Sequence, residues 1–187
     1  MPGGVSRRRQ GKTISLVGLD KTIARFKALP KKIRHSVASA INEQALATQT
    51  DLINRISADG IQKSAIKSRI MLNKASVEKD EATLKLDRKR VPFSQVKYTT
   101  KMEDSSGTRA SVWVLRGGKR VSYYSFVNPY GKNKYPLIRN KKGKKSKLVR
   151  AGGVGLRAYW NAIIDEQYLS GVKADLNLRV MNKLGGS

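Results

Sequence analysis

The chain has no cysteine, a single histidine and thirteen acidic residues against thirty-nine lysines and arginines. Without cysteine there is no disulfide, no thiolate zinc ligand and no thiol nucleophile. His35, on the polar flank of a helical stretch with no serine or cysteine partner, reads as a surface residue rather than a catalytic base. Glu78, Asp80, Glu81 and Asp87 lie close together, but they alternate along a strand-like stretch and sit among lysines. That pattern describes a solvated face better than a metal-dependent hydrolytic centre. Asp165 and Glu166 lack acidic companions nearby. The glycine-rich pieces "AGGVG" and "RGGK" lack the lysine and hydroxyl that follow the glycines of a phosphate-binding loop, so turn and hinge roles suffice. The expectation is therefore a non-enzyme without metal or cofactor.

Long apolar runs are absent as well. Nowhere do about 18 apolar residues follow one another, so no membrane span is expected. The opening "MPGGVSRRRQGKT" is basic without the apolar segment of a signal peptide, which predicts a soluble, unexported chain.

What is present is positive charge, a formal net +26 over 187 residues, together with 39% hydrophobic content. The hydrophobic fraction and its regular spacing argue against a wholly disordered basic tail. The charge calls for polyanions, acidic protein surfaces or partner subunits that relieve self-repulsion. Residues 1–12, with Arg7, Arg8 and Arg9, read as a flexible basic arm that fits either phosphate contacts or plain solvation. Residues 13–187 read as a single α+β domain with a long basic loop at about 128–153.

Along that domain "TISLVGLD" predicts a short edge strand. Leu19, Ile23, Phe26 and Leu29 then recur at helical spacing, with Asp20 at the N-terminus and Pro30 as the stop. A second helix follows to Gly60, with an apolar stripe of Ile33, Val37, Ile41, Ala45, Leu52 and Ile56 and a slim surface of Ala38, Ala40, Ala45 and Ala47. "IQKSAIKSRIML" predicts a further short basic helix presenting Lys63 and Lys67. From Ala75 the period becomes two, with "VPFSQVKYTT" as a second extended segment whose Pro92 belongs at an edge. "ASVWVLRGGKRVSYYSFV" is a hairpin turning at Gly117-Gly118. Gly152, Gly153 and Gly155 read as a flexible joint before a closing helix carrying Leu156, Trp160, Ile163, Ile164, Leu169, Val172, Leu176 and Val180, weakened or bent at Gly171.

Three basic clusters are candidates for phosphate contact: Arg7 to Arg9, Arg88-Lys89-Arg90, and the run from Arg139 to Arg150, in which seven of twelve residues are basic, Lys141, Lys142, Lys144, Lys145 and Lys147 among them. Tyr98, Tyr123, Tyr124 and Tyr130 suit base stacking if the sheet is an open platform, or packing on the hairpin's inner face. No base-reading motif accompanies them, so any contact would be electrostatic and sequence-nonspecific.

The order of these elements resembles a known family. "GLDKTIARFKALPKKIRHSVASAINEQALATQTDLINRI", with Gly18-Leu19-Asp20, Leu29-Pro30 and Ala40-Ile41-Asn42, is similar to the opening of phage minor tail protein Z, a tail-completion protein, and to small phage neck proteins. A basic helix, "RVPFSQV" before a hairpin, "GKNKYPL" and a closing amphipathic helix continue the resemblance over most of the chain. The lysine-rich "IRNKKGKKSKLVRAGG" is longer than the family pattern.

The resemblance implies a non-enzymatic virion component at the head-proximal end of a tail, made in the host cytoplasm. It would finish the tail so that head and tail join and DNA enters. It further implies a homo-oligomeric ring, hexameric in tail structures of this kind, that meets tail-tube and terminator proteins and contacts genomic DNA. Ile33, Val37, Ile41, Trp160 and Ile164 are then the expected subunit-packing anchors, and the basic clusters the contacts to DNA or acidic partners. The alternative reading is a free-standing, sequence-nonspecific nucleic-acid-binding protein of ribosomal or nucleoid type.

Overall fold

The structure, a computed structural model, describes residues 13–17, 29–102, 109–127, 135–139 and 148–185. The arm with Arg7 to Arg9, the expected helix from Leu19 up to its end at Leu29, Tyr130 and the lysines from Lys141 to Lys147 lie outside the described residues. The rest is an α+β fold of helices and two antiparallel sheets.

Helix α1, Lys31–Ala58, organises the molecule. It contains no internal glycine or proline and is rich in alanine, so its propensity is high throughout. Pro30 is its N-cap, where a missing N–H costs nothing, and the Arg34 N–H donates to the Pro30 carbonyl at 3.0 Å. Gly60, at φ +87°, ends it in the left-handed conformation that glycine adopts without strain. The predicted stripe is buried at Val37, Ile41, Ala45, Leu52 and Ile56 and half-buried at Ile33. Burying each such large aliphatic side chain contributes roughly 1.5–3 kcal/mol.

One face of α1 meets a three-stranded sheet of β1 (Thr13–Val17), β2 (Ile70–Asn73) and β3 (Glu81–Leu86), in the order β1-β3-β2. Two amides of α1 hold the β2 side. Asn42 donates to the Ala75 carbonyl at 3.0 Å and accepts from the Ala75 N–H at 2.7 Å, while Gln49 donates to the Ile70 carbonyl at 2.8 Å. The short basic helix expected within Ile61 to Leu72 is α2, Lys63–Lys67, and Arg69 falls beyond its end. The Arg69 guanidinium bonds back to the Ala65 carbonyl at 2.7 Å and across to the Arg90 carbonyl at 3.2 Å. The following residues pair with β3, which outweighs one more turn of a short helix.

The second sheet runs β4 (Thr99–Met102), β5 (Arg109–Arg116), β6 (Lys119–Val127), β7 (Pro136–Arg139) and β8 (Leu148–Arg150), each strand beside the next. Pro92 does not open a strand. It leads a 3-10 turn, Phe93–Gln95, because it has no N–H to give a ladder. The β5–β6 turn is the expected one, with φ of +59° at Gly117 and +73° at Gly118. Part of the segment read as a loop over 128–153 is strand, since β7 pairs with β6 and β8 with β7.

The closing helix is two helices, α3 (Arg157–Ile163) and α4 (Glu166–Gly185). The break falls at Ile164-Asp165, where Asp165 Oδ1 accepts the Tyr168 N–H at 2.7 Å and so caps α4. Gly171 lies inside α4, exposed and with open space around it, so the interruption expected there is found nearly two turns earlier, at Ile164-Asp165. Trp160, Tyr159, Leu176 and Val180 join residues of α1 and both sheets in a continuous apolar core. Among the described residues no helix is long and apolar enough to cross a membrane.

Candidate interaction surfaces

Charge is sorted across this fold. The five strands β4 to β8 contain no aspartate or glutamate, yet they carry Lys101, Arg109, Arg116, Lys119, Arg120, Arg139 and Arg150. On β5, Ala110, Val112 and Val114 are buried, whereas Ser111 and Trp113 are half-exposed and Leu115 is exposed. Register aligns Lys101 with Ser111, Thr99 with Trp113 and Ser122, and Arg120 with Leu115. One face of the sheet therefore covers the core, and the other presents cations, hydroxyls and an indole.

Arg88 to Arg90 lie beside a segment that is far from them in sequence. The N–H and carbonyl groups of Val91 and Val154 exchange hydrogen bonds at 2.8 Å each, and Ala151 N–H donates to the Pro136 carbonyl at 2.9 Å. These bonds set exposed Arg88, Lys89 and Arg90 beside the chain leaving β8, the C-terminal stem of the lysine-rich stretch. Gly153, read as part of a flexible joint, is instead a close-approach point. It is buried at φ +85°, and an added Cβ would collide with the Val91 carbonyl.

The acidic residues gather elsewhere. A groove of about 580 Å³ between α1 and α4 is lined by Asp51, Asp165 and Asp175 together with Arg55 and Tyr168. Asp51 accepts from Arg55 Nε at 2.8 Å, and the Arg55 guanidinium lies 5.2 Å from the Tyr168 ring centroid. Burial first, and the Asp51 carboxylate second, push the Tyr168 phenol above its ordinary range. Across the same helix pair, Arg179 Nε donates to Gln44 Oε1 at 2.7 Å, and Lys183 Nζ lies 2.8 Å from Glu43 Oε1. The Lys183 hydrogen bond is the largest of the effects holding the Glu43 carboxyl below its usual value, against a smaller opposing effect of burial.

The expected packing anchors divide. Val37, Ile41 and Trp160 are at most 2% exposed within the chain's own core, and Ile33 and Ile164 are half-buried against it. A side chain enclosed in its own subunit offers no surface to another, so the first three are core residues and not contact residues. Among the described residues the two most exposed large apolar side chains are on α4, Leu178 at 62% and Met181 at 68%, opposite the buried Leu176 and Val180; Leu46 and Met71 are also exposed, on α1 and β2. The reading missed Leu178 and Met181 because the count followed the single stripe that becomes core. Their signal was an apolar pair three residues apart, off that stripe.

The acidic residues near position 80 have local tasks. Glu78 pairs with Arg34 at 3.8 Å, Glu81 with Lys79 at 3.6 Å, and Asp87 accepts the Lys89 N–H at 3.1 Å. Asp80 is buried and His35 is exposed. Among the described residues no three His, Cys, Asp or Glu side chains gather as a metal site. The residue that sequence reading missed altogether is Asp59, whose carboxylate clamps the Gly117-Gly118 turn. Its one sequence signal is its place before Gly60 at the end of α1.

Fold and surfaces together define an α+β protein with an acid-free basic sheet, an acidic inter-helix groove and an apolar outer face on its last helix. Comparison with protein families, curated proteins and solved structures finds no match for the chain.

Proposed function

We propose that the chain is a structural subunit of a phage virion that completes the head-proximal end of a tail, as its resemblance to minor tail protein Z implies. Subunits of this kind act by assembling into a closed ring, and a ring requires a contact surface that each copy still has available after it has folded. The observation that carries the reading is α4, which is apolar on two opposite faces. Leu176 and Val180 close the subunit's own core, while Leu178 and Met181 stand exposed. Scattered exposed apolar residues need no explanation, but a pair aligned on one helix face of a chain with net charge +26 is a rare uncharged place for copies to meet.

The basic sheet and the Arg88 to Arg90 segment then supply attraction to acidic tail proteins or to DNA crossing the ring. The test is location. Gold-labelled antibody against the chain decorates purified tails at the head-proximal end if the reading holds. Decoration of the distal end, or no association with tails, overturns it.

A further inference from the structure

We infer that the exposed face of the five-stranded sheet binds a phosphodiester backbone, through Lys101 and Arg120 as cations and Trp113 as the ring between them. The first ground is composition: no strand of this sheet carries a carboxylate. The second is register. Lys101 aligns with Ser111, Trp113 stands between Thr99 and Ser122, and Arg120 aligns with Leu115. The rows at Ser111 and Leu115 are roughly 14 Å apart along β5, so one stretch of backbone spans them.

The third ground is chemistry. Exposed Thr99 and Ser122 and half-exposed Ser111 give hydroxyl donors among the cations, the mixture that holds phosphate oxygens without reading bases. Among the described residues Asp59 is the acidic residue at the hairpin end, and both its oxygens accept N–H groups of the turn. An acidic protein is the weaker candidate. Its docking surface would need an apolar centre, whereas around Lys101 and Arg120 this face offers Trp113 and Leu115, with half-exposed Leu137 two strands away on β7.

The inference rests on the tail-completion reading only for naming the polymer as packaged DNA. Binding by the isolated full chain stands or falls without virions. The measurement is fluorescence anisotropy of a short labelled duplex, and of a single strand, titrated over a range of salt. Reversing two cations on the sheet, Lys101→Glu with Arg120→Glu, is compared with the same charge change on exposed Lys31 and Lys32 of α1.

The sheet pair is expected to lower the slope of log affinity against log salt by about 1.8 on duplex, two phosphate contacts at about 0.9 each. The α1 pair is expected to leave that slope unchanged. Single strand should also quench tryptophan emission in a Trp113-dependent way, since Trp160 is 2% exposed, and Trp113→Phe should remove the quench. Equal losses from the two pairs would reduce the binding to net charge and overturn the inference. So would a sheet pair that binds like the parent, a quench that survives Trp113→Phe, or poly-glutamate binding that depends on Lys101 and Arg120 while duplex binding does not.

Discussion

The Gly117 N–H donates to Asp59 Oδ2 at 2.6 Å, and the Gly118 N–H donates to Oδ1 at 3.0 Å. One buried carboxylate thus ties the end of α1 to the hairpin that turns at the middle of the second sheet. Tyr159 adds a neighbouring tie, its hydroxyl donating to the Leu115 carbonyl at 2.6 Å. The charged face of the sheet is held in place from its hairpin end by these bonds.

Asp59→Ala is therefore expected to lower stability by roughly 2–3 kcal/mol, because it strands two turn amides in a partly buried site. Asp59→Asn, which keeps one acceptor oxygen, should cost less. Urea unfolding midpoints at constant slope measure both. Two variants within experimental error of the parent would show that the clamp carries no stability.

Gly153 and Gly155 make a contrasting pair two residues apart. Gly153→Ala combines a left-handed backbone with a collision at the Val91 carbonyl and should cost at least about 2 kcal/mol. Gly155→Ala, with nothing within 4 Å of the added atom, should stay within about 0.5 kcal/mol of the parent. The difference in unfolding midpoints checks this, and equal effects would return the segment to the role of a loose joint.

These cases also show which parts of the fold were legible in the sequence. Helix α1 was, because its apolar period runs from Ile33 to Ile56 between Pro30 and Gly60, giving way to a polar residue at the buried Thr48. The Gly117-Gly118 hairpin was too, because its turn demands that residue type. Gly153 was not, since close approach and flexibility use the same residue and only the pairing of Val91 with Val154 tells them apart. The division of the closing helix was hidden because apolar spacing continues through Ile163 and Ile164, while the cause of the break is the side chain of Asp165. Of the candidate surfaces, the basic clusters were visible singly, but the placing of Arg88 to Arg90 beside the end of β8 depends on long-range strand pairing. No local pattern encodes it.

Glu43 joins α1 to α4 through Lys183 at 2.8 Å and Arg179 at 4.0 Å, and within α1 it accepts from the Ser39 hydroxyl at 3.1 Å. Its carboxyl is held below the usual value, chiefly by the Lys183 hydrogen bond. A depressed carboxylate stabilises the fold above its unfolded pKa, and that contribution disappears as pH falls through the lower folded value. Stability should thus decline as pH drops below the ordinary glutamate range, and Glu43→Gln should flatten that part of the profile. The size is about 1 kcal/mol at most, because the pair is half-exposed and screened. Thermal midpoints from pH 7 downward give the comparison, and parallel profiles would remove Glu43 from the account.

Leu178 and Met181 are the residues on which association should depend. Leu178→Glu with Met181→Glu introduces charge on a face that is already exposed, so the monomer should keep its fold while self-association is lost. Light scattering reports the mass, and circular dichroism confirms the fold. Oligomers that survive the double change would place the subunit contact elsewhere.

The proposed tail-completion role is tested most directly by negative-stain electron microscopy of virions assembled without the chain. Tails that fail to join heads, or heads whose DNA does not enter the tail, are expected, with normal assembly restored when the chain is supplied. Normal virions with correctly placed DNA would contradict that role.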